Sequence, residues 1–552
     1  MIEVLIENSK QTQIVPKNTD ILTVCELSGY KPQYPVLGAL VNNKLKELSF
    51  KVFDPIKIKY IDITDTNGRR LYLRSLAFVL YSAVKDIYPQ AHLKIEHSVS
   101  KGSYCEIEGL HEKMTENVVN KLRKRMKEII AEDLPFRREK VFTEKAIEEF
   151  NKAGLCEKAL LFKTRKRIYT SIYKLNNYIN YFFGYLVPST GYLKLFDIVK
   201  YHEGILIRMP SKNNPDSLDE VHMQFKLFKI FREHKLWIKI LEVPYVGNLN
   251  EYILQGKISE FVQVSEALHE KKIASIADCI YKERNDVKLI LISGPSSSGK
   301  TTFSKRLSVQ LRVLGIKTFQ VSLDDFFLNR DETPKDEKGD FNFETIDAID
   351  IELFNTCLNE LMSGKSVHLP RFDFTRGEKT LCKEETTLNE NTIIIVEGIH
   401  GLNPKLTPSI KEKNKYKVFV SALTQISIDA QNPIPTTDNR LIRRIVRDHQ
   451  YRGYSALETI RRWPSVKKGE EIYIFPYQEN ADVMFNSALL YELAVLKNFA
   501  EPLLGDVPEN VEENAEAVRL LKFLSYFLPC RPLDIPPTSI LREFLGGSSF
   551  RY

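Results

Sequence analysis

Apolar residues run in short blocks along residues 1–62, and each block ends at a turn signal. MIEVLIE at the start predicts a strand, Pro16–Asp20 a turn and Ile21–Ser28 a short helix. VLGALV, KLKELSF and IKIKYIDI predict three further strands, with Asn42-Asn43 and Asp54-Pro55 as turns. This order is compatible with a β-grasp fold. The pattern then changes period. LRSLAFVLYSAVKDIY predicts a helix near the start of residues 63–275, and Glu116–Glu132 predicts a basic amphipathic helix. Gly184–Pro210 is rich in aromatics and turns and reads as packing within the chain. From about residue 285, strand and helix patterns alternate as in a parallel α/β domain. Its strands are VKLILIS, KTFQVSL, TIIIVEG and YKVFVSA. Pro529, Pro532, Pro536 and Pro537 mark residues 508–552 as a C-terminal appendage to the α/β domain at 285–507.

The 552 residues suit roughly three to four domains. With 43% apolar and 11% aromatic residues, the chain can build cores and is not a disordered polymer. A formal charge of +7 permits contact with nucleic acid or anionic metabolites without requiring it. Seven scattered cysteines, with no Cys-x-x-Cys pair, read as reduced thiols in the cytoplasm rather than as a disulfide framework. The N-terminus lacks the apolar core of a signal peptide, and no run approaches a membrane span, so no membrane association is expected. The sequence sets no oligomeric state.

The chemistry enters at Val287–Thr302, VKLILISGPSSSGKTT. A strand pattern runs into Gly294, Pro295, Ser296, Ser297, Ser298 and Gly299, and then into Lys300, Thr301 and Thr302. This is the phosphate-loop spacing in its strand–loop–helix context. The glycines allow backbone N–H groups to turn inward around phosphates, and the helix N-terminus favours negative charge. Lys300 can reach the terminal phosphates, and Thr301 can hold Mg²⁺. A Ser/Gly linker is the bland alternative, and the flanking strand and Lys-Thr pair argue against it. The loop implies binding of a nucleoside triphosphate.

Three further groups fall in register with the loop. The second strand ends at Asp324 and Asp325, where a carboxylate can accept a proton from an attacking hydroxyl. Asp324 is the candidate, with Asp325 as alternate or as a cap for the next turn. The third strand ends at Glu397, which is placed to join Thr301 and Asp324 around Mg²⁺. Arg440, Arg443, Arg444 and Arg447 fall at i, i+3, i+4 and i+7 and share one helical face. That face predicts an arginine lid acting on transferred charge, with Arg452 as a further member. Its removal should mainly lower kcat. Pairing with Asp438 and Asp448 on a solvated helix is the alternative. The run Lys163–Arg167 (KTRKR) reads either as a solvated face or as a phosphate-contacting patch.

Over about Lys288–Lys497 these motifs resemble the uridine kinase/phosphoribulokinase branch of P-loop kinases. The resemblance covers GPSSSGKTT, LDDFF, FETIDAID, IIIVEGIHGL and NRLIRRIVRD. It implies ATP and Mg²⁺ as cofactors, Asp324 as catalytic base, Lys300, Arg440 and Arg443 as phosphate-handling groups, and Glu397 on the Mg²⁺ side. It also implies Glu344 as the acid at the acceptor ribose and Phe374 as a ring lining the acceptor site. PRFDFTRGEK departs from the family's pyrimidine-reading segment: Phe372 replaces a tyrosine and Gly377 stands where a histidine is usual. Arg371, Asp373 and Arg376 are therefore candidates for reading a different polar acceptor.

Residues 1–62 resemble a TGS domain. Residues 63–275 resemble the second N-terminal domain of threonyl-tRNA synthetases, whose His-x-x-x-His motif is replaced here by Arg74–Phe78. His97 and Cys105 alone do not make a metal site, so editing activity is not expected. The whole arrangement resembles a group usually described as nucleoside kinases. The expected reaction is phosphorylation of a nucleoside 5′-hydroxyl. A sugar phosphate or polyol acceptor is the alternative within that class. An RNA-binding, translation-associated protein with a regulatory nucleotide site is the alternative outside it.

Overall fold

The computed structural model describes residues 1–552 except 336–338, 340, 374, 375, 390 and 425, together with the side chain of residue 532. The N-terminal unit is a five-stranded sheet. Strands Ile2–Ile6 and Ile56–Ile61 pair in parallel at its centre. Gln11–Val15 flanks one side, and Gly38–Val41 and Lys44–Lys46 flank the other. Alternation in Ile2–Ile6 buries Ile2, Val4 and Ile6 against Ile21 and Val24 of the helix Ile21–Leu27, as a β-grasp requires. Gln11–Val15 lies outside the apolar blocks because only Val15 of its five residues is buried.

The next region opens with the buried helix Thr66–Ile87, capped by the Asp65 side chain. A four-stranded antiparallel sheet is built from His92–Val99, Gly102–Glu108, Asp197–Tyr201 and Gly204–Arg208. Gly184–Pro210 therefore supplies two strands of this sheet. Arg137–Phe142, Tyr169–Leu175 and Tyr178–Asn180 form a smaller sheet.

The C-terminal half contains a five-stranded sheet whose pairings are all parallel. Its order is Lys317–Ser322, Thr392–Glu397, Leu289–Ser293, Lys415–Ser421, Val483–Asn486. The chain thus carries a P-loop kinase α/β domain preceded by a β-grasp unit and a synthetase-like α+β region. The fifth strand, Val483–Asn486, is too short and too closely flanked by polar residues to stand out in sequence. The helix Lys300–Val313 follows the central strand and packs on the long helix Ile258–Lys282.

Residues 508–552 are not an appendage. Leu520, Phe523 and Leu524 of helix Asn514–Leu524, with Ile540, Leu541 and Phe544, sit in the same continuous core as the central strand's Ile290 and Ile292. The prolines shape a chain that is buried on its apolar side. An ion cluster ties three distant segments together. Arg519 binds Asp438 at 2.6 Å and Glu516 at 2.6 Å, and Glu516 binds Arg70 at 2.9 Å. A second tie is the fully buried pair of Lys158 and Asp429.

Candidate active site

The phosphate loop leaves the central strand Leu289–Ser293, whose five residues are all buried. Gly294 is required by close approach, because a Cβ there would strike the Val420 carbonyl oxygen. Gly299 adopts φ +81°, and Ser297 is held at φ +57°, a left-handed conformation that non-glycine residues rarely take. Ser298 N–H donates to the Pro295 carbonyl at 3.2 Å and tightens the turn. Among the described residues, the Ser297 and Ser298 hydroxyls are buried without partners. Lys300 enters as the first residue of its helix and donates to the Pro295 carbonyl at 3.3 Å. The result is a preformed cradle with a lysine folded along its rim.

Thr301 donates its hydroxyl to Glu397 at 3.1 Å, which brings the loop and the end of the third strand together. Burial pushes the Glu397 carboxyl up to about 7; Lys300 opposes the shift, and Asp324 and Glu543 add to it. A half-buried acid flanked by acids suits a divalent cation. Mg²⁺ is characteristically held through one or two carboxylates plus phosphate and water, so Thr301 and Glu397 fit it. No cluster of three or more His, Cys, Asp or Glu with metal-site geometry occurs among the described residues, and none is needed for Mg²⁺.

Asp324 and Asp325 lie in the turn Leu323–Phe326 that follows the second strand. Asp325 accepts the Phe372 backbone N–H at 3.4 Å, and burial raises its carboxyl. It therefore positions the hairpin Pro370–Asp373/Glu378–Leu381. Among the described residues Asp324 caps no backbone N–H; its carboxylate is exposed and close enough to raise both Glu344 and Glu397. Glu344 faces the same cleft. Burial, Glu470 and Asp324 push it up to about 7, while Arg444 and Lys300 work the other way. Arg371 is exposed on the hairpin, and Phe372 is buried. Phe374 lies outside the described residues. Gly377 takes φ +74°, and a Cβ there would meet Arg330 Nε at 2.7 Å, so the position reserved for a ring is closed by backbone geometry.

The arginine helix, Thr436–Arg452, corrects one expectation. Arg440 and Arg443 do not present their guanidinium groups to the cleft. They are 1% and 0% exposed and brace the loop from behind. Arg440 donates to the Ser296 carbonyl at 2.9 Å and pairs with buried Glu470. Arg443 donates to the Ser297 carbonyl at 3.3 Å and to Ser487, and pairs with buried Glu492. Cations bound to the Ser296 and Ser297 carbonyls hold the cradle's shape. Sequence spacing shows a shared face but not what lies opposite it. Arg444 reaches the loop from its outer side, donating to Ser296 Oγ at 3.0 Å; burial lowers its pKa, and Glu344 opposes the shift. Arg444, Arg447 and Arg452 all ion-pair with Asp448.

Two carboxylates with no local motif complete the site. Glu470 accepts the Ser296 N–H at 3.0 Å. Glu543, from the C-terminal segment, accepts the Thr302 N–H at 3.2 Å and its hydroxyl at 2.7 Å, and Tyr552 reaches the same hydroxyl at 2.8 Å. An acid on a first-turn N–H occupies the kind of position a phosphate oxygen would take.

Residues 289–492 match the Phosphoribulokinase / Uridine kinase family. A uridine kinase of Ligilactobacillus salivarius (strain UCC118) is 30% identical over 201 residues, covering 36% of this chain and 85% of that protein. The chain belongs to the phosphoribulokinase/uridine kinase family, and its C-terminal half is a small-molecule kinase of that family. A second group of relatives matches on different grounds. The threonine–tRNA ligase of Carboxydothermus hydrogenoformans is 28% identical over 200 residues, 36% of this chain but only 31% of that protein. A solved structure described as a possible uridine kinase from Bacillus stearothermophilus aligns with 18% identity and a TM-score of 0.26, over 38% of this chain and 97% of that one. No helix among the described residues is long and apolar enough to cross a membrane.

Proposed function

We propose that this chain transfers the γ-phosphoryl group of ATP, with Mg²⁺, to the 5′-hydroxyl of a nucleoside in the cytoplasm. The observation that carries the reading is the placement of one exposed carboxylate, Asp324, beside a half-buried Glu397–Thr301 pair at the mouth of a preformed loop. Bound Mg-ATP supplies the phosphoryl group and the charge that neutralises it. The loop amides and Lys300 hold the phosphates, and Thr301 and Glu397 hold the metal. Asp324 orients the acceptor hydroxyl and takes its proton on a carboxylate oxygen as the new P–O bond forms and the γ-phosphorus–bridging oxygen bond breaks, leaving ADP. Arg444, whose charge acts on Glu344, is the cation on the arginine helix assigned to transferring charge, while Arg440 and Arg443 act through the loop. Glu344, held near neutrality, shares or accepts a hydrogen bond at the acceptor. Residues 1–62 act as a TGS-like unit, and residues 63–275 as a synthetase-like unit built onto the kinase.

A second reading, phosphorylation of an anionic alcohol such as a sugar phosphate, is favoured by exposed Arg371 at the hairpin. ADP release across nucleosides, sugar phosphates and polyols separates the two. The expected result is turnover with a nucleoside that falls by at least ~100-fold in Asp324→Asn. Turnover that survives Asp324→Asn removes the assigned base. Turnover confined to sugar phosphates, and lost in Arg371→Ala, selects the second reading.

A further inference from the structure

We propose that the concave surface between residues 165–169 and the helix Asn514–Leu524 binds single-stranded nucleic acid. A cavity of about 390 Å³ opens there, lined by Arg165, Arg167, Tyr169, Leu521, Lys522 and Ser525. It takes up the basic run Lys163–Arg167, which the kinase chemistry leaves unused.

The cations are uncompensated. Among the described residues, none of Arg165, Arg167 and Lys522 forms an ion pair. Arg165 lies 4.3 Å over the Tyr526 ring, which fixes its guanidinium, and its buried Nε has no hydrogen-bond partner. Behind it, Arg74 also buries an Nη1 without a partner. Lys522 is exposed at the rim; desolvation there, with Arg165, Arg74 and Arg138 (the last paired with Glu47), pulls its pKa down to about 7. No carboxylate opposes that shift. Like charges gathered without acids are stabilised by an arriving anion.

Rings beside the cations narrow the ligand to one with bases. Tyr169 is 49% exposed and Phe142 60%, and their centroids are 5.1 Å apart. Lys140 sits 4.8 Å from the Tyr169 ring. Exposed rings alternating with free cations form a stacking platform with phosphate contacts, the arrangement that holds single strands. The basic helix Glu116–Ala131 is a poorer candidate. Its Arg123 is bound to Asp197, Arg125 to Asp86 and Glu128, and Lys121 to Glu112.

The test is fluorescence anisotropy of labelled 12-nucleotide RNA and DNA single strands, and of a duplex, with the full chain over a salt series. The variants are Arg167→Ala/Lys522→Ala and Tyr169→Ala, all at exposed positions, with retained folding checked by thermal unfolding. Native protein is expected to bind single strands with affinity that falls as salt rises. The double variant should lower the log–log salt slope by about 1.4, at roughly 0.7 per lost phosphate contact. Tyr169→Ala should weaken binding at least about 5-fold with the slope unchanged. Binding of RNA, DNA or both by this pattern supports the proposal, and their ratio identifies the natural strand. Absence of single-strand binding overturns it, as does binding that neither variant changes. Duplex binding indifferent to Tyr169→Ala, or competition by inorganic phosphate at equal charge concentration, also overturns it.

Discussion

Replacing Arg443 by Met separates two roles that an arginine beside a phosphate loop can play. The side chain is 0% exposed and its partner Glu492 is 1% exposed. The guanidinium makes four described polar contacts: the Ser297 carbonyl, the Ser487 hydroxyl, the Ser487 carbonyl and the Glu492 carboxylate. Removing one member of a buried ion pair strands the other charge and typically costs about 3–5 kcal/mol. For the shared core of about 490 residues, at roughly 2.1 cal/mol/K per residue, each kcal/mol moves Tm by about 1 °C, so the unfolding transition should fall by about 3–5 °C. Arg443→Met/Glu492→Leu should recover much of that loss, because the uncompensated carboxylate is gone. Differential scanning of the two variants beside native protein reads both numbers, and steady-state kinetics on the folded fraction completes the comparison. The refuting result is Arg443→Met with an unchanged Tm and a kcat lowered 100-fold. That outcome would mean the guanidinium acts on transferred charge and not on the loop's back.

Glu397 titrates near 7 in the folded chain, above its ordinary value, so the folded state holds that proton more tightly than the unfolded one. Its contribution to stability therefore declines as pH rises from about 4.5 to about 7 and is level above that. Mg²⁺ must displace the same proton, so apparent Mg²⁺ affinity should weaken toward tenfold per unit below pH 7; calorimetric titration at pH 8 and pH 6 checks this, and a flat profile contradicts it. Glu543→Ala removes the carboxylate on the Thr302 N–H and should lower KM for ATP several-fold; a raised KM would show that Glu543 assists nucleotide binding. Lys158→Met strands buried Asp429 and should cost about 3–5 kcal/mol, lowering the unfolding of the synthetase-like and kinase regions together; two separated transitions would deny that they share one core.

The kinase motifs were legible because each is local. A glycine spacing, an acid after an apolar run and an arginine periodicity each fit within a dozen residues. The loop, Asp324 and Glu397 meet as those patterns imply, since parallel strands bring their C-terminal ends to one edge of the sheet. What was not legible depends on partners far along the chain. Glu470 and Glu543 sit in unremarkable helical stretches, and only the fold sets them on loop amides. The arginine periodicity defines a face, but its direction is set by Glu470, Glu492 and the loop carbonyls. Residues 508–552 looked detached because proline spacing hides periodicity, although Leu520, Phe523 and Phe544 are fully buried. At the acceptor the signal was a departure: Gly377, where the family carries a histidine, proves to be a left-handed turn pressed against Arg330.

The ion cluster of Arg70, Asp438, Glu516 and Arg519 also dictates an order of assembly. Arg70 and Glu516 are 446 residues apart in sequence, and Asp438 and Arg519 are 81 apart. On a chain emerging from the ribosome, the first long helix appears with Arg70 unmatched and stays so until Glu516 has been made. The phosphate loop waits still longer, since Glu543 follows Thr302 by 241 residues. The β-grasp unit can close early from local contacts. The rest of the molecule must hold open surfaces until residues 514–545 have been made, which makes this a slow-maturing chain and that segment the step that commits it.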